Sequence, residues 1–509
     1  MSPKLQTVHV RINDKATGQP TPCRVRFSNE QGETFPPFGR TVDFPTGRNL
    51  DVGGNLLLGM KPYAYIDGAC EVRLPVGKVQ IEIAKGPEFV PQRLQASIGP
   101  GKLALRLAIE RWADWRSEGW YSGDIRCHFL SPHAALLEAQ AEDLAVVNLL
   151  ASELPISGSH GRNAVAIPNI LAFSGQHPAL EQAGHMVAVN TYNSNPVLGG
   201  LALLHCHRII FPLSFGGPEK LDDWTMLDWC DQCHRKRGLV VWTKTAHESP
   251  TFRYGEPLAD LILGKIDAFE IDSFEDSPFD VLSDWYLLLN CGYSLPLVGA
   301  SGKENNGMAM GSMRTYARLQ ERESFTYSNW IEAIRAGRTF ATNGPLISFQ
   351  VDGEMAGTAL RLDSPRSTLH VRAEASSIVP FDRLEVIVDG RVAAKAESEG
   401  TPASACLEAD VPVSSSGWIA ARCLGSHQLF HRPANQRVFA HTSPVYIRME
   451  GRSPAASPEI VAALARHLDG MADWARTQAR CETDQQRERL VGIFLAAKKE
   501  LHKRGAGPA

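Results

Sequence analysis

No stretch of the sequence approaches ~18 consecutive apolar residues, so no segment reads as a membrane-spanning helix. The opening MSPKLQTVHV lacks the apolar core of a secretory signal, and the chain is expected in the cytoplasm. A basic excess is missing too. Lys and Arg number 52 against 56 Asp and Glu, a formal net charge of −4, which argues against a nucleic-acid surface. The two dense basic clusters, His234-Arg235-Lys236-Arg237 and Lys498-Lys499 with Lys503-Arg504, fall at expected helix ends, where cations complement the dipole. There is no Walker loop, no dinucleotide-binding glycine fingerprint and no G-x-S-x-G elbow. Nucleotide binding and serine-hydrolase chemistry are therefore left without a motif. No internal repeat or low-complexity tract occurs. The 10 cysteines are scattered, which suits free thiols better than a disulfide framework. Cys230-Asp231-Gln232-Cys233-His234 has the form of a haem attachment or half a zinc site. It sits inside an expected helix, however, and no second C-x-x-C pair accompanies it.

What is present is a change of texture along 509 residues, room for roughly two to four domains. Residues 1–112 read as strands and turns: Val8–Ile12, Cys23–Phe27 and Val79–Ile83 alternate, as expected for an N-terminal β-sandwich. From 113 to 344 short apolar runs alternate with helical patterns. Strands are expected at Asp124–Cys127, Ala145–Leu150, Asn169–Phe173, Met186–Asn190, Leu239–Trp242, Asp267–Ile271 and Pro296–Gly299. Helices are expected at His133–Asp143, Asp222–Lys236, Pro257–Leu263, Phe279–Cys291 and Tyr327–Ala336. That order predicts parallel βα units, with the site at the strand C-termini. Residues 345–452 return to alternation and read as a second β-sandwich, with Asp389-Gly390 as a hairpin turn. Residues 453–509 carry amphipathic helices.

The segment Gly119-Trp120-Tyr121-Ser122-Gly123-Asp124-Ile125-Arg126-Cys127-His128-Phe129 closes the first central strand. It resembles the opening of the PHP-like metallohydrolases of the carbaryl-hydrolase (CehA/McbA) branch, G-W-Y-x-G-D-x-H-x-H. There the paired histidines face a barrel mouth and bind a divalent metal. Gly184-His185, Gly264-Lys265-Ile266-Asp267-Ala268, Ala336-Gly337-Arg338-Thr339-Phe340 through Pro345, and His441-Thr442-Ser443-Pro444 look like further elements of that family. The resemblance covers nearly the whole chain. It implies an α/β fold, a PHP-like distorted β/α barrel core flanked by N-terminal and C-terminal β-sandwich domains, with C-terminal helices. The departures are as informative. The first histidine of the pair is Arg126. Asn148-Leu149-Leu150-Ala151 stands where the family has D-H, Gln176 where it has a ligand glutamate, Thr243-Lys244 where it has H-P, and Ser301-Gly302-Lys303-Glu304 where it has S-D-x-H. Asp124, His128 and His185 keep the family's residue type, and Glu304 could ligate as a carboxylate in place of imidazole.

Three functions stay open on these residues. In the first, the resemblance implies a hydrolase of an ester, carbamate, amide or phosphoester bond. His128, His185 and Glu304 hold zinc, manganese or iron, Asp124 orients a ligand or acts as base, and Arg126 and Lys303 hold an anionic small-molecule substrate. His205-Cys206-His207, spaced i, i+2, could join His128 and His185 in a relocated metal site. In the second, the chain is a metal-free pseudoenzyme or binding protein. Its cations Arg126, Lys244 and Lys303 hold an anionic ligand, or are consumed in ion pairs with Asp124 and Glu304. In the third, it is a metal-free lyase or isomerase with Lys244 or Lys303 as base.

Overall fold

In the computed structural model, which describes residues 4–47, 53–157, 163–243, 253–272, 278–363, 367–428, 430–432, 436–450 and 457–505, the N-terminal alternation resolves into two sheets. Leu5–Asp14 lies between Ala69–Pro75 and Ala104–Ile109 in a three-stranded sheet. Five further strands between Asn55–Leu58 and Gln92–Ile98 at its edges form the other. Period-two alternation turns Val8, Val10 and Ile12 into one core with Val25, Phe27, Ile81 and Ile83 of the facing sheet. Each such burial is worth roughly 1.5–3 kcal/mol.

A large curled sheet of mixed direction follows. Trp120–Cys127, Val146–Ala151 and His185–Asn195 are parallel neighbours. Gly199–Leu204 then inserts antiparallel, after which Leu239–Thr243, Ala268–Asp272 and Leu297–Ala300 resume the first direction. On its other side Trp120–Cys127 pairs antiparallel with Arg314–Arg318, which leads through Thr339–Thr342 to Val438–Thr442. The curl brings the loop after Leu297–Ala300 back to the first strand. Cys127 bridges Lys303, and the Gly299 amide donates to Thr315 Oγ1 at 2.7 Å. Six like-directed strands thus end in one place.

Seven helices, α1 Pro132–Ala141, α2 Met226–Arg235, α3 Pro257–Ile262, α4 Pro278–Asn290, α5 Tyr327–Arg335, α6 Pro458–Thr477 and α7 Asp484–Gly505, occur among the described residues. Side-chain oxygens start several of them: Ser131, Thr225 and Thr326 each accept the amide three residues on. α1 packs Ala135 and Ala139 on Val147, Leu149, Val187 and Val189. α5 packs Trp330, Ile331 and Ile334 among Ile125, Val146, Leu150 and Ala188. Among the described residues no helix is long and apolar enough to cross a membrane.

Three expectations change. The central strands are not a simple parallel series, because Gly199–Leu204 and Arg314–Arg318 run against it. Asn169–Phe173 is not a strand. Asn169 takes a left-handed φ of 65°, and Ile170–Ala172 is a single 3-10 turn. The C-terminal strands are not separate from the centre, since Gly417–Gly425 and Arg383–Val388 extend the central sheet through Val438–Thr442. A four-stranded sheet that includes Leu346–Val351 and Ala403–Val413 packs on that extension. The Asp389-Gly390 turn is as expected, with φ of 49° and 86°, the pair of positive values a two-residue hairpin loop needs.

Candidate functional site

The first strand carries an irregularity that decides its chemistry. Between Val147 and Leu149 its register slips, so that Ile125 and Arg126 together oppose Asn148. Such a bulge re-aims a side chain. Asp124 stays on the face of Val147, where Oδ1 accepts from the Ser301 amide at 3.0 Å and Oδ2 from the Gly311 amide at 2.7 Å. Arg126 turns to the concave side. Its Nε donates to Glu270 Oε1 and its Nη2 to Asp272 Oδ2, each at 2.9 Å. These carboxylates stand at i, i+2 on Ala268–Asp272, a strand not hydrogen-bonded to that of Arg126, so the triad crosses the interior of the curl. All three are buried. Burial alone would depress the Arg126 guanidinium, but Glu270 and then Asp272 outweigh it and raise it above its ordinary value. Burial lifts the Glu270 carboxyl to about 7 against the pull of Arg126, and Glu270 Oε2 has no hydrogen-bond partner.

Tyr192 and His128 adjoin this triad. The His128 Nδ1 donates to the Leu150 carbonyl at 3.3 Å, and its ring stands edge-on to Tyr192 with centroids 5.5 Å apart. Burial raises the Tyr192 hydroxyl pKa, with Arg126 opposing and the charges of Glu270 and Glu304 adding to it. Gly200 lies under the Tyr192 hydroxyl, where a Cβ would collide with it. Behind them is a closed polar network. Tyr327 donates to Asn148 Oδ1 at 2.6 Å, Asn190 Nδ2 donates to Tyr327 at 2.9 Å, and the His205 amide donates to Asn190 Oδ1. Asn148, expected as a departure from a D-H motif, is thus consumed structurally.

The other expected residues do not join this group. His185 begins its strand and lies beside residue 145, whereas His128 lies beside residue 150. At about 3.3 Å per residue the two are about 16 Å apart along the sheet. His185 donates from Nδ1 to the Leu144 carbonyl at 2.6 Å, and burial, then Arg116, lowers its imidazole to about 4. Lys303 is fully buried but points away from Arg126. Its Nζ donates to the Met308 carbonyl at 2.7 Å and the Asn305 carbonyl at 3.2 Å, and pairs with Glu138 of α1 at 3.4 Å. The expected pairing of these cations with Asp124 and Glu304 is therefore replaced by Glu270, Asp272 and Glu138. Lys244 lies outside the described residues. His205 and His207 follow Gly199–Leu204, with two strands between it and the strand of His128, and are held by other partners. His205 accepts from Ser328 at Nε2, and His207 is exposed. In the C-x-x-C-H segment Cys230 and Cys233 are buried core thiols and His234 pairs with Asp267 at 2.9 Å.

These residues do not fit a metal centre. His128 and His185 do not converge, and Arg126 is spent on Glu270 and Asp272. Among the described residues no group of three or more His, Cys, Asp or Glu could hold a metal ion. Glu270 and Asp272 were absent from the expected site. Their signal was the Glu-Ile-Asp spacing within an otherwise apolar strand.

No protein-family model matches the chain, and no curated protein does. Among solved structures it is similar to PsfC from Pseudomonas syringae, at 13% identity and a TM-score of 0.29 over 42% of this chain and 88% of that one. It is also similar to the lesion-specific endonuclease PfuEndoQ from Pyrococcus furiosus, at 12% identity and a TM-score of 0.26 over 42% of this chain and 56% of that one.

Proposed function

We propose that the chain is a PHP-like relative of the carbaryl-hydrolase branch that works without a metal at the family's centre and binds a small polar molecule at the mouth of its curled sheet. The observation that carries this is the Arg126 fork held between Glu270 and Asp272. A guanidinium there supplies the positive charge a divalent ion would supply, at the position of a lost ligand. In this proposal residues 113–344 form a distorted barrel that carries the site. Residues 1–112 and 345–452 are β-sandwich packing modules, and 453–509 a helical brace. His128, Tyr192 and Glu304 face the ligand, and Asp124 positions the strand ends.

Elemental analysis of protein purified without chelator tests it. Zinc, manganese and iron are expected well below one per chain, and unchanged in His128→Ala. A near-stoichiometric metal that His128→Ala loses would overturn the proposal and restore metal-activated hydrolysis of an ester, carbamate, amide or phosphoester. One observation favours a second function, a lyase or isomerase: Glu270 has a free oxygen and a carboxyl near 7, suited to proton transfer. That version requires turnover that resists chelators and disappears in Glu270→Gln.

A further inference from the structure

The excess of positive charge that the sequence suggested at Arg126 and Lys303 is neutralised there. It reappears in a different cavity. Arg24 from the strand Cys23–Ser28, Arg314 at the start of Arg314–Arg318, and His431 and Arg432 line a cavity of about 20 Å³. Three guanidinium groups and an imidazole meet one carboxylate, Glu142, at the end of α1. Glu142 is already engaged, by the Tyr65 hydroxyl at 2.9 Å and by Arg24 Nη1 at 2.9 Å.

The donors are not used up. Arg24 is only 3% exposed, yet its Nε has no hydrogen-bond partner and its Nη1 has the ion pair alone. His431 is 7% exposed and its Nδ1 has no partner. Arg432, partly exposed, makes no hydrogen bond or ion pair among the described residues. Arg314 is held in place by the Gly311 and Glu142 carbonyls, at 2.8 and 3.0 Å, which do not cancel its charge. Burying cations without counter-charge costs several kcal/mol per group. Burial, then Arg314 beside it, pulls the Arg432 guanidinium down to about 9, whereas a guanidinium in a protein keeps its proton. A counter-ion resolves both problems. A 20 Å³ cavity has room for a single water-sized centre, which limits the occupant to a small ion.

We propose that this cavity is a binding site for a small inorganic anion, held by Arg24, Arg314 and Arg432 with an N–H from His431. The site joins the N-terminal sheets, the central sheet and the segment before Val438–Thr442, so its occupancy ties three parts of the chain together. Chloride suits the volume; sulfate and phosphate suit the guanidinium forks but fit only if the cavity widens around them.

The test is thermal unfolding of the full chain in sodium gluconate, with chloride, sulfate or phosphate exchanged in at constant ionic strength. A saturable rise in Tm of roughly 2–6 °C with at least one of these anions is expected. The anion that saturates at lowest concentration identifies the occupant. Arg432→Gln is expected to lose that response while remaining at least as stable as the wild type in gluconate, since it removes an uncompensated cation. Equal Tm values in all four salts would overturn the proposal. So would an anion response that survives in Arg432→Gln.

Discussion

At the scale of single residues, the decisive event is one extra residue in a strand. The bulge at Ile125–Arg126 puts a long cation on the concave face, within reach of two carboxylates that would otherwise repel each other in a buried interior. Removing the cation is then costly in a pH-dependent way. Arg126→Met should destabilise the fold by about 3–5 kcal/mol at pH 8, where both carboxylates are charged. The Glu270 carboxyl is raised, to about 7 in the fold from an ordinary 4.5. Its stabilising contribution is therefore complete below about 4.5 and lost as pH rises through 7. Without Arg126 that carboxyl rises further, so the gap between variant and wild type should widen from pH 5 to pH 8. Urea unfolding at the two pH values reads this directly. A gap that does not change with pH would show that Glu270 is not the group that titrates.

At the scale of elements, α1 is fastened to the loop after Leu297–Ala300 by the fully buried pair Lys303–Glu138. Glu138 also accepts the Gly54 amide at 3.0 Å, so the pair ties the N-terminal sheets in as well. Lys303→Met should cost about 3–5 kcal/mol by stranding Glu138, and Glu138→Gln in the same chain should recover much of that loss. Additive losses in the cycle would contradict the pairing. The same elements show what a sequence can disclose. Leu369–Ala373 was legible from alternation, because Leu369, Val371 and Ala373 meet a core while His370 and Arg372 are exposed. Gly199–Leu204 was not, since both its faces are buried and its run of Gly, Leu and Ala has no period. The site divides in the same way. Arg126 was visible as a departure from a motif. Its partners lie 144 and 146 residues away and meet it only because the sheet curls. Lys303 stood next to a motif position, yet local spacing could not say which way its side chain leaves the strand end.

At the scale of the whole molecule, acid should act on many regions at once. Burial holds three histidines neutral in distant places. Burial, then Arg116, lowers His185 to about 4. Burial lowers His467 of α6 to about 4 and His441 to about 3. His441 donates from Nδ1 to the Thr442 carbonyl and accepts the Tyr286 hydroxyl at Nε2, 2.6 Å away, which fixes the neutral form. A depressed imidazole contributes stability that is present above its unfolded value near 6.5 and is lost as pH falls through the folded value. Burial raises Glu270 and Glu256 to about 7, and raises Asp260 and Glu138, so these carboxyls work in the opposite direction, and the histidine contribution is read from a variant rather than from net stability. His467 stands edge-on to Tyr254 with ring centroids 5.0 Å apart, and its Nε2 has no partner, so an aromatic ring can replace it. The change in stability from pH 6.5 to 4.5 should therefore be more favourable in His467→Phe than in the wild type, measured by denaturant midpoints at the two pH values. α6 and α7 share one apolar core with α2, α3 and α4. The variant should accordingly move a single transition in which far-ultraviolet and tryptophan signals coincide. An early transition confined to one signal would mean that the C-terminal helices unfold on their own, and that their shared core with the central helices does not couple them.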